Sequence, residues 1–465
     1  MKEHLIFVTG RLAEPRLRRV LEGMGDTPWT WEVRQIGVKV AALLTPEILR
    51  RRIGALEGAS RVVLPGRFQG DLDILSREFG VRFERGPDEL KDLPRYLGHS
   101  GPKRALTAQD TRIFAEIVEA PRLDVPAILA RAHRLASQGA DVIDLGCLPG
   151  VPFPHLEDTV QALLAEGFPV SIDSGDPDEL RRGGRAGAAY LLSLNGGTID
   201  LAFETEAVPV VIPEQHGNLN GLIAACERLK RAGKPFLADP ILDPIHVGFT
   251  ESICRYQAAR ERMPDAEMLM GVGNLTELTD ADTTGITMLL MAICSELRIR
   301  NVLVVQVSPH CRNAVREAEI ARRILYAARD EDGPPQWIDS GLLCLRDRRP
   351  FPDSPAEIAE TAAAISDPNF RIQAAEDGVH IYNRDGHHIS ADPFELFSQL
   401  KLGSDVGHAF YLGVELARAQ IAYQLGKRYS QDEALGWGCA VEAAPRQRIH
   451  FQAAGPTVKS RREGD

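Results

Sequence analysis

Short apolar runs punctuate the middle of this chain, and most of them end on polar residues. Eight lie between residues 111 and 309: "RIFAEIVEA", "DVIDLG", "PVSIDSG", "YLLSLNGG", "VPVVIPEQ", "PFLADPIL", "EMLMGVGN" and "NVLVVQVSP". Their length and their Val, Ile and Leu content predict buried strands. Segments that can hold a helix separate them, most clearly "DVPAILARAHRLASQGA", "LNGLIAACERLKRAGK" and "AVREAEIARRILYAARD"; the one after "YLLSLNGG" is short. Eight strand–helix units in roughly 220 residues predict a TIM (β/α)8 barrel. A doubly wound open sheet is the competing architecture. It would carry a crevice motif after one strand, whereas here polar residues end most strands.

The flanks read differently. Residues 1–105 alternate "HLIFVTG", "SRVVLPG" and "VRFERG" with helical stretches, which predicts a small α/β domain with a parallel sheet. "HSGPKRALTAQD" (99–110) reads as a linker, and the barrel occupies 106–330. Residues 331–450 predict a C-terminal α+β domain, with two short strands joined at "NRDG" and a long helix in "VGHAFYLGVELARAQIAYQLGK"; 451–465 is a tail.

Composition narrows the class. The 465 residues are 44% hydrophobic and 26% charged, as in soluble globular proteins, and the formal net charge is −11. That charge argues against a nucleic-acid partner, which needs clustered Lys and Arg, and the basic "KSRREGD" reads as a solvated end. No apolar run reaches the roughly 18 residues of a membrane span, and "MKEHLIFVTG" lacks the parts of a signal peptide. Cys147, Cys226, Cys254, Cys294, Cys311, Cys344 and Cys439 form no C-x-x-C pair, so reduced thiols and a cytoplasmic location are expected.

Candidate chemistry sits at the strand ends, the face on which such barrels build their sites. In chain order the tips carry Glu116 and Glu119, Asp144, Asp173, Asn195, Glu214 with Gln215, Asp239, Asn274, and Ser308 with His310. Carboxylates and amides dominate and no Lys or Arg appears, which disfavours a phosphosugar or dinucleotide site. Acids and amides in an apolar well suit a neutral heterocycle with several N–H donors, because one carboxylate accepts two parallel hydrogen bonds from an amino-pyrimidinone edge.

Each residue also has a plainer role. Asp176 is a better helix N-cap than Asp173, and Asp239 precedes Pro240 where no helix begins, so both acids are free for a ligand. Asp144 reads equally as an inward structural acid, and Asn195 before Gly196-Gly197 fits a turn as well as a ligand. His310 and Cys311 have no partner at metal-ligand spacing. Arg11 in "TGR" and Arg67 in "LPGR" follow strands and could grip a phosphate, although the surface role is the simpler one.

"GADVIDLG", "VSIDSG", "LSLNGG", "ADPIL…GF" and "GVGN" occur in the order and rough spacing of the pterin-binding barrel family. That family includes dihydropteroate synthases and methyltetrahydrofolate:corrinoid methyltransferases. With its flanking domains the chain resembles the archaeal-type dihydropteroate synthase-related proteins that accompany tetrahydromethanopterin synthesis. The resemblance implies that Asp144, Asp173, Asn195, Asp239, Asn274 and Gln306 contact a pterin, with Asp173, Asp239 and Asn274 closest to the chemistry. It implies condensation of 6-hydroxymethyl-dihydropterin pyrophosphate with an arylamine. It also implies a Mg²⁺ on the leaving group, with Glu116, Glu119 or Asp144 as ligands directly or through water. Barrels of that family commonly pair, so a homodimer or a complex with other pterin-pathway proteins is the expected partnership.

The chain departs from the synthase pattern where cations belong. The Ser-Thr-Arg-Pro loop reads "CLPGVP", the Ser-Arg-Lys motif "GNLTE" and the late Arg-x-His "QVSPH". Replacement cations would come from Arg312, Arg316 or a flanking domain. A methyl transfer to a corrinoid protein, which Asn274 favours, and a non-catalytic pterin-binding scaffold are the alternative functions.

Overall fold

A computed structural model describes residues 2–38, 44–68, 70–87, 90–97, 106–336, 338–400, 402 and 405–441. The tail and the first half of the expected linker lie outside these. The chain forms two compact units: residues 1–105 with 349–420, and residues 106–348 with 421–465.

In the first unit β1 (Glu3–Thr9), β2 (Trp29–Gln35), β3 (Arg61–Leu64) and β4 (Arg82–Arg85) form a parallel sheet in the order β2-β1-β3-β4. Its sequence reading omits β2, "WTWEVRQ". This edge strand buries only Trp29 and Val33 and interleaves them with an exposed-side Glu32–Arg34 ion pair, so it lacks the apolar run of its neighbours. Arg11 and Arg67 follow the adjacent strands β1 and β3.

The 349–420 portion holds an antiparallel sheet of three strands, β13 (Arg371–Ala375), β14 (Gly378–Asn383) and β15 (Gly386–Ser390), rather than two. The "NRDG" turn joins β14 to β15 as expected, and Glu376-Asp377 makes a second reversal between β13 and β14. Arg16 pairs with the buried Asp353, which also accepts a hydrogen bond from Gln373 at 2.8 Å.

The second unit contains a (β/α)8 barrel. Its strands are β5 (Arg112–Ile117), β6 (Val142–Gly146), β7 (Val170–Asp173), β8 (Tyr190–Leu194), β9 (Val208–Val211), β10 (Leu237–Ala238), β11 (Leu269–Gly271) and β12 (Asn301–Val304). All eight runs read from the sequence form strands, paired in parallel in the order β10-β9-β8-β7-β6-β5-β12-β11. A single parallel bridge from Ala238 to Met268 closes the cylinder.

Alternation along each strand divides the residues between two environments. One set packs on the surrounding helices, as Ile113, Ile143, Ile172 and Val211 do. The other fills the barrel interior, where Phe114, Val142, Leu192, Val210, Leu237 and Leu269 make one apolar cluster. Each such side chain, removed from water, stabilises the fold by about 2 kcal/mol. Two residues further along their strands come Glu116, Asp144 and Asp239. The same period-two pattern that builds the apolar plug therefore lays acids on top of it.

The opposite end of the cylinder is locked by Arg322, whose side chain is 3% exposed. It pairs with Asp141 and Glu319 and donates to the carbonyls of Thr111 (2.5 Å) and Gly139 (3.1 Å). Asp141 in turn accepts the Ile113 N–H at 2.8 Å. Among the described residues no helix is long and apolar enough to cross a membrane.

Candidate functional site

Strand register assembles the site. Glu116 on β5 lies directly beside Asp144 on β6, and Asp144 beside Ser171 on β7; Asp173 follows two residues above Ser171. One oxygen from each of Glu116, Asp144 and Asp173 comes within 4.8 Å of the others. Gly146, two residues above Asp144, makes the room: a Cβ there would sit 2.3 Å from Glu116 Oε1.

Asp144 is fully buried. Its Oδ1 accepts a hydrogen bond from the Ser171 hydroxyl, while Oδ2 has no hydrogen-bond partner. Burial, then the charges of Asp173 and Glu116, push its pKa well above the ordinary carboxylate range against the Ser171 hydroxyl. Glu116 is pushed up to about 7 by burial and by the charges of Asp173 and Glu277.

Asp239 completes the acidic rim. Its Oδ1 accepts hydrogen bonds from the Ile241 N–H (2.7 Å) and the Tyr256 hydroxyl (2.6 Å). Tyr256 is itself fully buried on the helix Phe249–Arg262 and also reaches the Leu269 carbonyl at 3.2 Å. Burial raises Asp239 to about 6 despite these donors and the charge of Arg255. Asp173 stands at about 6 as well, lifted by burial and by the Asp239 charge. The two acids that the sequence singled out are thus within electrostatic reach of one another.

Arg255 braces the loop after β10. It donates to the carbonyls of Pro240 (2.8 Å) and Ile241 (2.6 Å) and to Asp243 Oδ2 (2.8 Å). The charges of Arg312 and Arg316 do not figure in the shifts of the four mouth acids.

Other expected site residues have structural duties. Asn195 Oδ1 accepts the Gly197 N–H at 2.9 Å and so forms the turn after β8. Asn274 is exposed and donates to the Leu242 carbonyl at 3.0 Å, tying the β11 loop to the β10 loop. Gln306 is not gathered with the acids. Its amide nitrogen donates to Gln138 Oε1 (2.9 Å) and its oxygen accepts the Val315 N–H (3.3 Å), so both ends are spent on the helical shell.

Glu119 is exposed and paired with Arg122 at 2.9 Å, away from the trio. Glu214 and Gln215 are exposed. His310 and Cys311 both engage the Thr276 carbonyl, at 3.2 and 3.3 Å, while Glu277 accepts the N–H groups of Val307 (2.7 Å) and Ser308 (2.9 Å).

A cavity of about 690 Å³ opens between the loops that follow β6 and β7. Pro149, Val151, Pro152 and Phe153 line one wall, and Ser174 and Glu179 contribute polar groups. The Ser174 hydroxyl donates to Glu179 Oε2 at 2.6 Å. Burial and the Glu179 carboxylate raise the Cys147 thiol, which stays protonated.

The fold and site together define an acid-mouthed (β/α)8 barrel. Residues 3–88 match a family of unknown function, DUF6513. An uncharacterised protein of Methanocaldococcus jannaschii is 25% identical to this chain, over 92% of the chain and 98% of its own length. Among solved structures, the chain is similar to the dihydropteroate synthase of Xanthomonas albilineans, at 19% identity and a TM-score of 0.37, over 48% of this chain and 94% of that one. The Thermus thermophilus dihydropteroate synthase solved with 6HMPPP gives 19% identity and a TM-score of 0.38, over 48% and 95%.

Proposed function

We propose that the barrel mouth binds a pterin and transfers its 6-methylene group to an arylamine, as a dihydropteroate synthase-like transferase of tetrahydromethanopterin synthesis. The observation that carries this reading is the pair Asp173 and Asp239, two half-buried carboxyls facing one well with Asp239 Oδ1 fixed by Tyr256 and Ile241. Ionised, each accepts hydrogen bonds from the amino-pyrimidinone edge, and a charge-assisted bond of that kind contributes about 2 kcal/mol. Loss of pyrophosphate leaves a cationic methylene conjugated to the ring, and acids held in a dry well stabilise such a cation. The Pro- and Phe-lined cavity that begins at Ser174, one residue past Asp173, suits the aryl ring of the second substrate.

Binding is tested by titrating the full chain with 6-hydroxymethyl-dihydropterin and following pterin fluorescence. Micromolar affinity that Asp239→Asn removes supports the reading; no binding sinks it. Turnover is tested by pyrophosphate release with an arylamine present. Pterin binding without release, under any metal condition, would favour a scaffold over a transferase.

A further inference from the structure

We infer that Glu116, Asp144 and Asp173 form a resident site for one hard divalent cation, Mg²⁺ or Mn²⁺, which the protein fills before any substrate arrives. The pterin reading supplies its role, not its existence.

Adjacent strands set two acids directly side by side and a third one step above. Like charges opposite one another in a sheet destabilise it, so this register needs a compensating partner. Among the described residues no Arg or Lys pairs with these acids: Asp144 accepts from the Ser171 hydroxyl, and Arg255 is spent on Pro240, Ile241 and Asp243.

Asp144 Oδ2 gives the independent sign of a ligand. It belongs to a side chain with no solvent exposure and has no hydrogen-bond partner. Such an atom is costly unless something fills the space before it. Gly146 adds a second sign, since a Cβ there would sit 2.3 Å from Glu116 Oε1 and displace that carboxylate from its place beside Asp144. The cup is kept open by the absence of a Cβ.

The donor set selects the ion. All three donors are carboxylate oxygens, which suit Mg²⁺ and Mn²⁺ and give Zn²⁺ no nitrogen or sulfur. Binding one ion at about 2.1 Å would draw these oxygens, now within 4.8 Å of one another, to about 3 Å apart. Three ligands leave three octahedral positions for water or substrate. Glu119, paired with Arg122, is outside the set. A cation here turns a repulsive cluster into an ordered one, and frees Asp173 to offer its second oxygen to the pterin edge.

The test uses the full chain, stripped with chelator and titrated with Mn²⁺ at pH 8 without pterin, reading free Mn²⁺ by electron paramagnetic resonance. One Mn²⁺ per chain is expected, displaced by excess Mg²⁺. Asp144→Asn, Glu116→Gln and Gly146→Ala should each weaken it about tenfold or more, the last without changing charge, while Glu119→Gln binds as the parent does. Circular dichroism establishes that each variant is folded. Unchanged Mn²⁺ affinity in any folded member of the first three overturns the inference, as does a parent chain that takes up no Mn²⁺ at millimolar concentration. If Mn²⁺ fails to bind but pterin binds in chelator, the cation site falls and the pterin reading stands. If Mn²⁺ binds and pterin does not, the reverse holds.

Discussion

The two ends of the barrel handle buried charge in opposite ways. At the strand N-termini, Arg322 is enclosed by Asp141, Glu319 and two carbonyls, so each formal charge meets its opposite. At the strand C-termini, Glu116, Asp144, Asp173 and Asp239 share a well, and each pKa is raised above its ordinary value by burial. A chain able to seat a buried arginine at one end has not done so at the other. Acids gathered without a cationic side chain are what the proposed pterin site would require, whereas a structural core pairs its charges.

The largest expected effect breaks the balanced end. Arg322→Met leaves Asp141 without its ion-pair partner, while Glu319 keeps Arg323, and should destabilise the chain by about 3 kcal/mol in urea unfolding. Next, Asp239→Asn and Asp173→Asn at the unbalanced end should lower pterin affinity about 30-fold or more with no loss of stability. A melting temperature that falls with these substitutions would erase the contrast between the two ends.

The pH dependence of the ligand-free chain follows from the same shifts. Glu116 at about 7, and Asp173 and Asp239 at about 6, bind protons in the folded state that the unfolded chain releases near pH 4. Folding therefore takes up protons between those values, and the contribution of these groups to stability falls as pH rises from about 5 to 8. The chelated protein should melt at a higher temperature at pH 6 than at pH 8, and Asp173→Asn should reduce the difference.

Smaller still, Tyr256→Phe removes one hydrogen bond to Asp239 and should cost about 1 kcal/mol of stability with a modest loss of affinity. The smallest effect belongs to Asn195→Ala, which loosens the turn to Gly197 and should reduce pterin affinity far less than Asp239→Asn does.

The barrel was legible because each of its strands is an apolar run with a polar end, whereas β2 hides its two core residues among charges. Asp173 and Asp239 were legible because a carboxylate ending an apolar run has few structural uses. Ser171 and Gly146 could have been found by the same alternation, since each lies two positions from a mouth acid on its own strand. Tyr256 could not: it approaches Asp239 from a helix 17 residues downstream, and only packing brings them together. Asn195, Asn274 and Gln306 carry the opposite lesson. Each makes a local hydrogen bond, to the Gly197 N–H, the Leu242 carbonyl, and Gln138 with Val315 respectively, and residue type alone does not encode those partners.

The cylinder's seam is thin. β10 contributes only two residues, and one bridge from Ala238 joins it to the chain before β11, held by the Ala238 N–H to the Glu267 carbonyl at 2.9 Å. Asp239 is the next residue along. A molecule grasped by Asp239 on one side and Asp173 on the other would clasp this short stave to β7 across the mouth, a tie that the seam itself does not supply. Deuterium uptake at the Ala238 amide should slow when the clasp is fastened.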